Sequence, residues 1–421
     1  MNRSNTVNKL RDLNYTESLH TLACEELDGA FSVVYAIKIN QLFQEPVLKD
    51  ALRKVVLMSQ SLRLNIVKTN DGYFFVENKP QIEKNIEFIN EKLTQNNILK
   101  IIQHYSDQKI DYKDKCWELK VFSDIDQKSS LLVFKSHHTI TDGLQVFDLF
   151  KELLNNYSNL KNDYKYQTEE LFNHNVQDNF SVEVTELKDN AILSFENNIF
   201  AHQLISKIIS FSIENSTINN IIKYCKTENI SINDYICSCT VVAAENIFND
   251  KKDKVTINIP YNLRKLTNIS CDNYFCGGIS ISYDSQNASK SFVKNAKITS
   301  QEVKSQTNNK KLIKPHSNDY IAAKMTWDRL KSDFKNHRLP YEFSISNLGK
   351  ISLGSQFDEL IEGVYCSSGR KACDQTMLIT PITIAQKMFF TIAYPDPAID
   401  SKTATLFAAK LKKVISDKCN L

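Results

Sequence analysis

The sequence predicts an α/β protein with mixed sheets, divided into two halves. Three observations carry this. Apolar strand patterns alternate with helical stripes along most of the chain. At 421 residues the chain is too long for one small core, and length alone points to two or three domains. A stretch at 155–192, rich in Asn, Asp, Lys and Tyr, reads as a crossover of helix and loop between the halves.

In chain order, residues 13–40 read as an entry helix or loop and then a strand. In that strand Phe31, Val33, Tyr35, Ile37 and Ile39 alternate with smaller or polar residues. Pro46 stands in the first turn of a helix whose stripe is Leu48, Leu52, Val55 and Val56. Residues 61–67 read as a strand, Asn70-Asp71-Gly72 as a turn, and Tyr73-Phe74-Phe75-Val76 as the returning strand. Residues 91–110 form a polar helical stretch. Residues 117–122 alternate as a strand, and Asp124-Ile125-Asp126-Gln127 turns the chain into Leu131-Leu132-Val133-Phe134, a buried strand.

That strand delivers Ser136-His137-His138-Thr139-Ile140-Thr141-Asp142-Gly143. Behind it Phe147, Phe150, Leu154 and Tyr157 recur at helical spacing. Neighbouring side chains of an extended segment point to opposite faces, so one histidine can face a cleft while the other packs inward. A neutral imidazole near pH 7 is the best general base a protein has. Asp142, four residues after His138, can hold the ring or brace the loop against a cation. Gly143 gives freedom to turn and lets a substrate approach the backbone. Two other readings stand beside this one. Both histidines can be loop residues with ordinary hydrogen bonds, or His138 and Asp142 can share a metal ion. No further Cys, His or Glu cluster supplies a third metal ligand, so no metal is expected.

In the second half, residues 202–213 read as a strand. A helix follows from about Ser216, with Ile218, Ile221, Ile222 and Cys225 on one side. Ser231 is the candidate cap of the next helix, whose body from Tyr235 to Phe248 is apolar. Residues 255–259 form a strand ended by Pro260, and Arg264 follows. Asp272-Asn273-Tyr274-Phe275-Cys276-Gly277-Gly278 leads into the alternating strand 279–283. Residues 284–316 are polar and Lys-rich and read as an exposed helix plus loop. Ser346-Asn347-Leu348-Gly349 sits at a strand end, and Asn with Gly there suits a turn. Strands at 362–366, 376–383 and 389–394 and a helix with Leu406, Phe407, Leu411, Val414 and Ile415 on its apolar side close the chain.

The pattern His-His-x-x-x-Asp-Gly at 137–143, on a strand-to-helix junction, resembles the signature of the acyltransferase superfamily related to chloramphenicol acetyltransferase. Condensation domains, alcohol acetyltransferases, polyketide-associated acyltransferases and wax ester synthases belong to it. The resemblance implies two chloramphenicol acetyltransferase-like halves around a central channel, here 1–175 and 176–421. It makes His138 the general base and His137, Asp142 and Gly143 structural support. Pro260-Tyr261-Asn262-Leu263-Arg264 resembles an element whose arginine pairs with the motif aspartate, which sets Arg264 opposite Asp142. Ser346 and Asn347 resemble an element near the acyl channel, where they can donate hydrogen bonds to an oxyanion. Residues 272–278 resemble a Gly-Asn-Phe-type turn near the channel, with Asn and Gly reordered, whose aromatic and glycine residues can border a pocket; a hairpin turn is the plain alternative. Asn233-Asp234 resembles an element of wax ester synthases, and helix capping explains it equally well.

Lys plus Arg is 52 and Asp plus Glu is 49, so the net charge of +3 gives no basic face and nucleic acid is not an expected partner. No stretch has the apolar length of a membrane span. The polar N-terminus is not a secretory signal, so a cytoplasmic site is expected, with peripheral membrane contact left open. Ten scattered cysteines suit buried free thiols. The expected function is transfer of an acyl group from a thioester to an alcohol. Acyl-CoA is the expected co-substrate, without a permanently bound cofactor, and the acceptor a small molecule or lipid. The alternatives are amide formation from substrates on an acyl carrier protein, and a catalytically inactive binding relative.

Overall fold

A computed structural model describes residues 9–162, 204–245, 254–267, 274–284, 290–308, 321–328 and 341–419, apart from 28, 30, 79, 80, 322, 327 and 370–375. The 1–175/176–421 boundary and most of the crossover at 155–192 lie outside these residues, as do Asp272 and Asn273.

The first half begins with β1 (Lys9–Asp12), α1 (Tyr15–Glu26) and β2 (Ser32–Ile39). Helix α1 starts in a capping box: Asn14 accepts from the Glu17 N–H, and Glu17 accepts from the Asn14 N–H. Helix α2 (Glu45–Met58) buries Leu48, Leu52, Val55 and Val56, with Pro46 in its first turn. The expected strand at 61–67 begins instead as a 3-10 turn over Ser61–Arg63, with β3 covering Leu64–Thr69. The cause is Arg63, whose Nη1 donates to the carbonyls of Val56, Leu57 and Ser59 and so closes the end of α2. Strands β3 and β4 (Gly72–Glu77) form a hairpin with Gly72 at φ +138°. A short helix α3 (Ile82–Asn85) and strand β5 (Ile86–Asn90), neither read from the sequence, precede α4 (Gln95–Asp107).

Strands β6 (Trp117–Asp124) and β7 (Ser129–His137) are an antiparallel pair in a sheet that also holds a late strand, β13 (Ile361–Ser368), in the order β13-β2-β7-β6-β5, with β5 parallel to β6. Every residue of β7 is buried. Helix α5 (Gly143–Asn162) packs with α2 on one face of this sheet.

The second half contains β8 (Ile205–Ile213), α6 (Asn215–Glu228), α7 (Ile232–Ala244), β9 (Lys254–Asn262), the helical turn α8 (Arg264–Thr267), β10 (Cys276–Asp284) and α9 (Phe292–Asn308). It continues with β11 (Phe343–Ile345), β12 (Gly349–Lys350), β13 (Ile361–Ser368), β14 (Met377–Ile384), β15 (Lys387–Asp396) and the closing helix Ser401–Asp417. Its sheet has the order β10-β9-β11-β14-β15-β8, with β12 beside β14. The apolar helix α7 is buried against α9 and the closing helix. Pro260 does not end β9, which runs on to Asn262. Within β9, strand β11 reaches only Ile257 and Asn258, so that edge of β9 has no ladder at Pro260, and a residue without an N–H is tolerated there. At the start of α7, Ser231 and Asp234 form a capping box, so Asp234 is occupied as a helix cap.

Two elements bind the halves. Strand β13, late in the chain, pairs antiparallel with β2 and completes the first half's sheet. The other is α4. Its apolar side packs with Val34, Ala36, Leu131 and Val133, while its polar side covers the edge strand β8. There Asp107 accepts from the Ser206 N–H at 2.7 Å, Gln103 from the Ile208 N–H at 3.3 Å, and Gln95 donates to Ser210 at 2.9 Å. These bonds satisfy an edge that would otherwise present open donors. Among the described residues no helix is long and apolar enough to cross a membrane.

Candidate active site

His137 ends β7, and a turn over His138–Ile140 leads through Thr141 and Asp142 into α5. The two histidines part as the strand geometry requires. His137 is fully buried, with its Nδ1 3.3 Å from the Thr139 N–H and its ring edge-on to Tyr112. Since Nδ1 accepts that N–H, the ring proton is on Nε2. Burial first, and the neighbouring His138 second, push its pKa down to about 3, so it is neutral and structural.

His138 is half-buried. Its Nδ1 lies 2.9 Å from the Thr141 carbonyl oxygen. A carbonyl can only accept, so Nδ1 carries the proton and Nε2 keeps a lone pair. Burial lowers the pKa of His138 below that of a free imidazole, opposed by the Thr141 carbonyl and the Asp142 charge. The ring is therefore neutral near pH 7 with a basic nitrogen at Nε2. The backbone N–H of His138 donates to the Phe31 carbonyl at 3.3 Å, and the hydroxyls of Ser136 and Thr141 bond at 2.6 Å across the turn.

Asp142 does not hold the imidazole. Its Oδ1 accepts the Gln145 N–H at 3.2 Å, capping the first turn of α5. Its Oδ2 faces Arg264 Nη1 at 2.5 Å and the Phe275 N–H at 3.3 Å. The pair Asp142–Arg264 joins the halves, and both side chains are largely covered, at 3% and 19% exposure. Gly143 has no positive φ among the described residues, so its value is space rather than turning. A Cβ there would stand 2.9 Å from Leu348 Cδ2 and 3.0 Å from the Tyr35 hydroxyl.

Leu348 belongs to the Ser346–Gly349 turn of the second half. Ser346 and Asn347 are half-buried; the Ser346 N–H bonds the Ile379 carbonyl, and Asn347 Oδ1 accepts the Gly349 N–H at 2.9 Å. No hydrogen bond joins Ser346 or Asn347 to His138, and their segment reaches the motif through Leu348.

Two aromatic rings neighbour His138: Tyr274, from the 272–278 stretch whose aromatic residues were expected beside a pocket, and His20, which was not read from the sequence. His20 of α1 lies parallel to its ring, with centroids 5.1 Å apart and planes within 3°. Tyr274 stands edge-on to both rings, at 4.8 Å from His138 and 4.7 Å from His20. His20 has no local signal, because it acts only once distant segments meet. A cavity of about 630 Å³ lies between α2, α5 and the 348–352 segment, with Arg264, Leu348 and Gln145 in its wall. It comes to the motif from the Asp142–Arg264 side, and His138 is not among its lining residues.

No curated protein matches the chain in sequence. Solved structures match it along nearly its whole length. Polyketide synthase associated protein 5 from Mycobacterium tuberculosis aligns at TM-score 0.65 and 12% identity, covering 98% of this chain and 99% of that one. The trichothecene 15-O-acetyltransferase from Fusarium sporotrichioides aligns at 0.65 and 10%, covering 96% and 94%. The condensation domain of the monacolin K polyketide synthase aligns at 0.65 and 10%, covering 99% and 98%. At such identities these likenesses establish the fold, with its two chloramphenicol acetyltransferase-like halves. The Condensation domain family model matches residues 21–270, more than half of the sequence and including the whole of the histidine motif, and on that match the chain belongs to the condensation-domain family.

Proposed function

We propose that this chain is an acyltransferase in which His138 Nε2 removes a proton from an acceptor as that acceptor attacks a thioester carbonyl. The observation that carries the reading is the bond from His138 Nδ1–H to the Thr141 carbonyl, which leaves Nε2 unprotonated on a half-buried neutral ring. Membership of the condensation-domain family supports acyl transfer as the reaction class. The step balances without an acyl-enzyme. The acceptor's oxygen or nitrogen forms a bond to the carbonyl carbon, its proton passes to Nε2, and the tetrahedral intermediate expels a thiolate. That thiolate takes the proton back from the imidazolium. Ser346 and Asn347 are the proposed donors to the intermediate's oxyanion.

For the donor we propose acyl-CoA, as co-substrate and without a bound cofactor, and for the acceptor an alcohol on a small molecule or lipid. The likeness to an O-acetyltransferase across 96% of this chain supports the alcohol acceptor. The proposed location is the cytoplasm, with contact at a membrane surface for a lipid acceptor. The family match favours a second reading, amide formation from substrates on an acyl carrier protein.

Thiol release, followed with a panel of acyl-CoAs and acyl carrier proteins and with alcohol and amine acceptors, separates the two. In either case His138→Ala is expected to lower kcat by about a hundred- to ten-thousandfold, the usual share of a general base. Retention of most of kcat in that variant rules the role out.

A further inference from the structure

One hydrogen bond does not fix an imidazole. The Nδ1–Thr141 contact holds one edge of His138, and it weakens, with its hold on the tautomer, as the plane of the ring tilts away from the carbonyl. The plane is set by other rings. His20 lies face to face with it, and Tyr274 closes one side edge-on. Phe31, whose carbonyl bonds the His138 N–H, stacks with His20 at 5.2 Å and 19°.

His20 stands on a firm base. It is in the second turn of α1, where Arg11 grips both carboxylate oxygens of Glu17 at 2.7 Å and the capping box fixes the helix start. The Glu17 carbonyl also accepts from the Thr139 hydroxyl of the motif turn, at 3.4 Å. Helix α1 and the histidine turn are thus tied together, and a ring projecting from α1 is a fixed surface for the ring beside it.

We propose that His20 is a positioning residue for acyl transfer, its ring face holding His138 in the plane that aims Nε2 at the acceptor. The proposal rests on the reading of His138 as the base. What is needed from position 20 is a flat aromatic face, and an aliphatic side chain of similar bulk does not provide it.

The test compares His20→Leu with His20→Phe in the full chain. Two readouts are used: acyl-thioester turnover, and the imidazole 15N resonances of His138, which report its tautomer. We expect H20L to lose about ten- to a hundredfold in kcat, the effect of misplacing a catalytic group, with KM within about twofold and Tm unchanged. Its His138 is expected to show a mixture of tautomers. H20F is expected to restore kcat to within about threefold, together with the single Nδ1–H form. Wild-type kcat and a single tautomer in H20L overturn the proposal, and so does an H20F as slow as H20L. If the wild-type protein turns over no acyl thioester, the acyltransferase reading falls. The tautomer comparison then decides alone whether His20 orders the His138 ring.

Discussion

At His138 a main-chain carbonyl does what the sequence offers Asp142 for. The ring's Nδ1 proton goes to Thr141 O, and Asp142 turns to Gln145, Arg264 and Phe275. The motif's residue types were legible, but the partner of the ring was not, because a backbone acceptor has no letter of its own. Since burial holds the pKa of His138 below the ordinary histidine value of 6.5, its base form is present at neutral pH. Activity should therefore stay flat near pH 7 and fall only as pH drops through a value below 6.5, which a profile of kcat/KM against pH will show. His137 makes a separate prediction about stability. Its folded pKa is about 3 against 6.5 when unfolded. Between those values the unfolded chain binds the extra proton, so stability is full above about pH 6.5 and lost as pH falls towards 3. The loss attributable to His137 approaches about 1.4 kcal/mol per pH unit. Urea titrations at pH 7 and pH 5 should show it, and His137→Asn should flatten the difference even where it lowers stability overall.

At the scale of elements, what positions the site is the end of one strand meeting the end of another. Strand β7 delivers the histidines, and β9 ends two residues before Arg264, whose guanidinium reaches Asp142 at the start of α5. Because both charges are largely covered, removing either partner strands the other. Arg264→Ala and Asp142→Ala should each cost about 3 kcal/mol, mainly through folding. A double-mutant cycle should give a coupling of at least about 1 kcal/mol, and additive effects would exclude the pair. The helices were readable from their stripes: α2, α5, α6 and the closing helix appear where apolar residues recur at helical spacing. The 3-10 turn at Ser61–Arg63 was not, because it depends on Arg63 folding back over three carbonyls of α2. The polarity of α4 has a tertiary cause as well, since its Gln and Asp side chains serve the edge of β8.

For the whole molecule, the halves share a sheet. Strand β13 lies in the second half of the sequence and pairs with β2 along the length of the first half's sheet. A fragment ending at residue 175 lacks it and exposes the edge of a strand whose Val33, Val34, Ala36 and Ile37 are buried in the full chain. We expect that fragment, expressed alone, to aggregate or to lack dispersed amide resonances, and co-expression with 176–421 to recover a soluble complex. A monomeric, well-dispersed 1–175 would show that β13 is dispensable. The sequence alone determined the alternation of strands and helices and the residue types of the histidine motif, because periodicity and spacing are local. Only the tertiary structure decided that Thr141 holds the His138 ring, that His20 and Tyr274 surround it, and that β13 crosses over. Each of these joins atoms whose residues carry no mark of one another until the chain has folded.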